Sequence, residues 1–141
     1  MAIRQLSIFA ENKPGALHYI TELLAKSNID LRSMCVADTS DYGIVRIITD
    51  EPERAKEILD ADGQAANVRL VNAFAIPDVP GGLSKVLKIL NDADISIEYM
   101  YALITVEAGK AYSVMRTCDT ERCDKVLLES GVELLDETKL H

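Results

Sequence analysis

The chain repeats itself. Lys13-Pro14-Gly15-Ala16-Leu17 returns 66 positions later as Val79-Pro80-Gly81-Gly82-Leu83. At the same offset Asn28-Ile29-Asp30-Leu31 falls on Asp94-Ile95-Ser96-Ile97, and Met34 on Met100. Further along the offset is 68: Thr49 meets Thr117, Glu53-Arg54 meets Glu121-Arg122, Ile58-Leu59 meets Val126-Leu127, and Gly63 meets Gly131. The two extra residues fall between Met100 and Thr117, where a turn is expected, and turns tolerate insertions. A repeat of this length limits the chain to two copies of one supersecondary unit. The expected boundaries are 1–70 and 71–141, with no Pro/Gly/Ser-rich linker between them.

Each copy reads as strand, helix, strand, strand, helix, strand. In the first, Ile3 to Ala10 is β-rich and Asn12-Lys13-Pro14-Gly15 opens a helix, with Asn12 placed to cap it and Pro14 in the first turn. Leu17, Ile20 and Leu24 follow at helical spacing, and Ser27-Asn28 ends the helix. Ile29 to Ala37 and Ile44 to Thr49 read as strands around a turn at Asp38 to Gly43. A second helix starts at Asp50 to Pro52, with Ala55, Ile58 and Leu59 inward. Val68 to Ile76 is one extended run that closes the first copy and begins the second. The second copy has a helix after Asp78 with Leu83, Val86, Leu87 and Leu90 inward, and strands at Ile97 to Thr105 and Ala111 to Thr117. A helix capped by Asp119 or Thr120 and a strand at Val132 to Leu135 complete it. The fold class expected is α+β: two ferredoxin-like βαββαβ units with antiparallel sheets and both helices on one face.

Composition narrows the function. The 141 residues carry a net charge of −8 and no Trp, so neither a nucleic acid backbone nor an anionic membrane is an expected partner. No apolar run reaches the length of a membrane span. The opening Met1-Ala2-Ile3-Arg4-Gln5-Leu6 lacks the apolar core of a signal peptide, and cytoplasmic residence is the expectation. Cys35, Cys118 and Cys123, with His18 and His141 far from them in sequence, lack zinc-ligand spacing, so no metal or other cofactor is expected. Cys123 shares a helical face with Val126 and Leu127 and reads as a core thiol. No nucleophile–base set, phosphate loop or dinucleotide fingerprint occurs, and the chain is not expected to be an enzyme.

The recurring segment [Asn/Asp]-x-Pro-Gly-x-Leu is the candidate site. A helix N-terminus presents unpaired N–H groups and partial positive charge, which suit a carboxylate. Gly lets a ligand approach the backbone closely. Asp78 supplies an acceptor for a ligand ammonium, and the two together suit a free amino acid. For a single copy, ordinary capping is the stronger explanation of the same residues. Lesser candidates have ordinary readings too. Met34, Cys35, Tyr99, Met100 and Tyr101 read as packing residues, His18 as an exposed helix residue, and Arg46 and Arg116 as charges on a solvent face.

These motifs and their topology resemble the ACT domain family, whose units carry this Pro-Gly signature after the first strand and an Asn-Ile pair near the second. The resemblance spans the whole chain, twice, as a stand-alone tandem ACT protein. It implies amino acid binding at the interface between two units, in a regulatory module. Carried over, the ligand-contacting residues are Asn12, Pro14, Gly15, Ala16 and Leu17 in one unit and Asp78, Pro80, Gly81, Gly82 and Leu83 in the other. Asn28, Ile29, Asp94 and Ile95 line the neighbouring strand starts. The implied partners are a free amino acid or similar small carboxylate, a second copy in a homodimer, and a metabolic enzyme regulated in trans. The alternative is a protein–protein interaction module with a vestigial ligand site.

Overall fold

The computed structural model describes residues 2–38, 42–104 and 107–140. The chain forms two compact units, one of Arg4–Arg69 and one of Leu70 onward with residues 1–3. In chain order the first unit contains β1 (Ile3–Glu11), α1 (Ala16–Lys26), β2 (Leu31–Asp38), β3 (Tyr42–Thr49) and α2 (Pro52–Ala61). The strand β4 (Ala66–Pro77) runs through the division between the units without a break. The second unit continues with α3 (Gly82–Asp92), β5 (Ile97–Ala102), β6 (Lys110–Thr117), α4 (Thr120–Glu129) and β7 (Glu133–Leu134). A 3₁₀ turn at Glu137–Leu140 follows, which the sequence pattern did not announce.

In the first unit β3 lies between β1 and β2, antiparallel to both. In the second, β6 lies between β4 and β5 in the same way, and β7 pairs with the other side of β4. The registers superpose at the sequence offsets: Met34 opposite Ile47 becomes Met100 opposite Met115. Even the register irregularity recurs, between Leu31 and Ser33 and between Ile97 and Tyr99.

Alternation assigns one sheet face to the helices. In the first unit Leu6 and Ile8 of β1 and Val45 and Ile47 of β3 pack against Ile20 and Leu24 of α1 and Ala55 and Leu59 of α2. In the second, Phe74, Ile76 and Met115 meet Val86 and Leu90 of α3 and Cys123 and Leu127 of α4. Each unit is therefore a mixed α+β layer pair with both helices on one face, as expected. Cys123 is fully buried, and burial pushes its thiol up to about 11, so it is inert packing.

The second core contains a polar cluster. Asn72 Nδ2 donates to Asp124 Oδ1 (2.7 Å) and to the Thr120 carbonyl (2.9 Å), and Thr117 Oγ1 donates to Asn72 Oδ1 (3.3 Å). All three side chains are buried.

Helix ends follow one rule. After α1, Asn28 N–H donates to the Ala25 carbonyl and Ile29 N–H to that of Leu24. After α3, Asp94 and Ile95 do the same to Asn91 and Leu90. These paired bonds are the Schellman arrangement, which places a residue in the left-handed region just past the cap. Gly63 and Gly131 hold that position after α2 and α4; Asn28 (φ 57°) and Asp94 (φ 56°) hold it after α1 and α3. Strands expected to begin at Ile29 and Ile97 begin at Leu31 and Ile97, because Ile29 belongs to the cap. The strand expected to run to Thr105 is seen to Ala102; Thr105 lies outside the described residues.

Candidate functional site

The Pro-Gly loops have the same backbone in both units. Lys13 N–H turns back to the Glu11 carbonyl and Ala16 N–H to that of Lys13; Val79 and Gly82 repeat these bonds to Pro77 and Val79. Asn12 is not the N-cap residue of α1. The chain bends so that Gly15 takes the N-cap position at φ 86°, and Gly81 takes it for α3 at the same φ. This backbone region favours Gly because an L side chain there is strained. The N-cap glycines of these two helices bring no side chain to the terminus, whereas Asp119 caps α4 by accepting from Arg122 N–H at 3.0 Å. A helix N-terminus of this kind is where first-turn N–H groups can meet an external acceptor.

A Cβ on Gly15 or Gly81 would meet nothing within 4 Å, so these glycines serve the turn and leave open space above it. Gly82 differs. A Cβ there would stand 2.4 Å from the Pro77 carbonyl oxygen, which explains why this copy carries Gly where the first carries Ala16.

The loop of the first unit borders two depressions. A small one of about 190 Å³ is lined by Asn12, Ala16 and Leu17 of the candidate set with Val36, Gly43 and Val45. A larger cleft of about 630 Å³ is lined by Phe9, Pro14, Gly15, Ala16, Tyr19 and the Gly63-Gln64 turn, among others. The equivalent cleft of the second unit, about 510 Å³, is lined by Ile76, Gly82, Lys85, Val86, Ile89 and Val132, with Lys110, Ser130 and Glu133 at its border.

The structure thus gathers Asn12, Pro14, Gly15, Ala16 and Leu17 around one loop, and Asp78, Pro80, Gly81, Gly82 and Leu83 around the other. It does not bring Asn28-Ile29 to the first loop or Asp94-Ile95 to the second within a unit. Those pairs close the far ends of α1 and α3, about 16 Å along an eleven-residue helix. Ile29 and Ile95 are buried with Leu24 and Leu90, while Asn28 and Asp94 are exposed.

Several cleft residues escaped the motif. Tyr19 donates its hydroxyl to both carboxylate oxygens of Asp62 (3.0 and 2.8 Å), bridging α1 to the end of α2. That hydrogen bond, and after it desolvation and the carboxylate charge, raise the Tyr19 pKa. At the repeat offsets the second unit has Lys85 for Tyr19 and Ser130 for Asp62. Lys110 contacts Glu133 (3.1 Å) and Glu107 (3.2 Å), and its hydrogen bonds to them hold its ammonium above the ordinary lysine pKa. His18 is exposed, 3.5 Å from Glu22. Tyr99 and Tyr101 stack with ring centres 6.4 Å apart. Arg116, read as a solvent-face charge, is half-buried and donates to the Leu70 carbonyl at 2.6 Å. Among the described residues no His, Cys, Asp and Glu group is arranged to hold a metal ion, and no helix is long and apolar enough to cross a membrane.

Residues 1–141 match the family described as an ACT domain pair. No curated protein matches the chain. Among solved structures, protein BT0572 from Bacteroides thetaiotaomicron is 41% identical, covering 99% of this chain and 96% of that one, with a TM-score of 0.93. The ligand-free regulatory subunit of aspartate kinase from Thermus thermophilus shares the fold at 15% identity, over 89% of this chain and 91% of that one, with a TM-score of 0.66. The regulatory subunit of aspartate kinase from Thermus flavus does so at 14% identity, over 91% and 92%, with a TM-score of 0.62.

Proposed function

The chain belongs to the ACT domain family as a pair of ACT units, and from that premise we propose that it is a non-catalytic regulatory protein that binds a free amino acid. The observation that carries this is the pair of helix N-termini that begin at a left-handed glycine in the Pro-Gly loops. Their N–H groups and dipole receive the ligand carboxylate. The exposed Asn12 or Asp78 side chain beside the loop supplies oxygen acceptors for the ligand ammonium. Asp78 does so with a charge and Asn12 without one, so the two loops differ in affinity.

In this reading the output passes to a partner enzyme or through a homodimer, and it requires that the ligand favour one of two states.

The test is thermal unfolding with each of the twenty amino acids. A ligand at 100 times its dissociation constant stabilises by about 2.7 kcal/mol. A selective shift that Asn12→Leu or Asp78→Leu abolishes supports the reading; both positions are exposed, so the fold survives. No shift with any amino acid overturns it in favour of an interaction module whose Pro-Gly loops are purely structural.

A further inference from the structure

A cleft beside the Pro-Gly loop occurs in both units, with overlapping lining positions and different chemistry. In the first unit Tyr19, which lines the cleft, donates its hydroxyl to both carboxylate oxygens of Asp62, and Lys13 is paired with Glu11 at 3.0 Å. In the second unit the positions of that latch hold Lys85 and Ser130, and no side-chain bond joins them. Among the described residues Lys85 has no ion-pair partner, while Lys110 is engaged by Glu107 and Glu133. The walls are aliphatic: Ile76, Val86, Ile89 and Val132. Its volume of about 510 Å³ falls in the range of small-molecule sites.

We propose that this cleft binds a short aliphatic monocarboxylate, with its carboxylate on the Lys85 ammonium and its chain against Ile76, Val86, Ile89 and Val132. The charge inventory selects the class. The lining carries two lysines and one glutamate, and only Lys85 is uncommitted, so the cleft balances one negative charge. A polyanion would meet Glu133 and the overall charge of −8. A ligand ammonium would find the bordering carboxylates already held by Lys110. The site therefore prefers a plain carboxylate to an amino acid. It uses neither Asn12 nor Asp78, so it stands or falls separately from the amino acid reading.

The test is an amide-resolved NMR titration of the full chain with 3-methylbutanoate, and with 3-methylbutanamide as the uncharged control. Saturable shifts are expected at Ile76, at Gly82 to Ile89 and at Ser130 to Glu133, with none at Asn12 to Leu17. Lys85→Gln and replacement of the acid by the amide each weaken binding at least about tenfold. The double variant Lys85→Tyr/Ser130→Asp, which imports the latch of the first unit, abolishes it. Equal binding of acid and amide, or of the native chain and Lys85→Gln, overturns the proposal and leaves a neutral apolar cleft. Absence of saturable shifts overturns it outright. Shifts at Asn12 to Leu17 with amino acids report on the other reading.

Discussion

Where the first unit buries Leu6 opposite Ile47, the second buries Asn72 opposite Met115. Around these positions the exchange continues: Ala55 becomes Cys123, Lys56 becomes Asp124, and Thr49 persists as Thr117. Thr117 donates to Asn72, while Thr49 Oγ1 is buried with no hydrogen-bond partner among the described residues. The backbone is held constant down to the strand irregularity and the left-handed loop glycines. The side-chain chemistry is not. This topology is therefore specified by turns, caps and alternation, and its core accepts either an apolar contact or a satisfied polar cluster. A half-made cluster is the costly case.

Transplanting one unit's core into the other is the severest test. Asn72→Leu gives the second unit the residue of the first but removes the Asn72 bonds of Asp124 and Thr117. A loss of about 2–4 kcal/mol is expected in urea unfolding, and no loss would show that Asp124 finds water instead. Next comes the loop. Gly82→Ala presses a Cβ against the Pro77 carbonyl and should cost about 1–3 kcal/mol. The mirror change Ala16→Gly should cost at most about 1 kcal/mol, through chain entropy. Equal costs would mean that the loop at Pro77 yields freely.

The threonines should respond with opposite signs. Thr49→Val removes an orphaned hydroxyl and should stabilise by about 1 kcal/mol, whereas Thr117→Val breaks a made bond and should destabilise by about as much. The same sign for both would refute the contrast. Asn28→Gly and Asp94→Gly relieve a left-handed L residue, and each should add a few tenths of a kcal/mol up to about 1 kcal/mol.

The smallest effect is the Tyr19 latch. Its pKa is raised from 10.0, so its contribution is present below that value and lost as pH rises through the higher one. The stability difference between the native chain and Tyr19→Phe should therefore be small at neutral pH and vanish in strong alkali. A difference that persists there would mean Tyr19 acts by packing.

Local signals carried the fold. The repeat, the helical spacing of Leu17, Ile20 and Leu24, and the Pro-Gly punctuation gave element order and topology, because turns and caps are decided within a few residues. Asn12 was misread for the same reason: its type fits a cap, but the bonds from Lys13 and Ala16 tighten the loop and move the cap to Gly15. The Asn72 cluster was hidden because its partners lie 45 to 52 residues away. Lys85 and Ser130 could have been found by laying the second copy over Tyr19 and Asp62. What a position is worth, however, depended on seeing the latch.

The unbroken β4 has a practical consequence for anyone handling the gene. The 66-residue period invites excision of a single copy, but the division between units falls within a strand, at Arg69 and Leu70. A fragment ending there gives up most of β4, and one starting there begins in the middle of it. This chain can be copied as a whole far more readily than it can be halved.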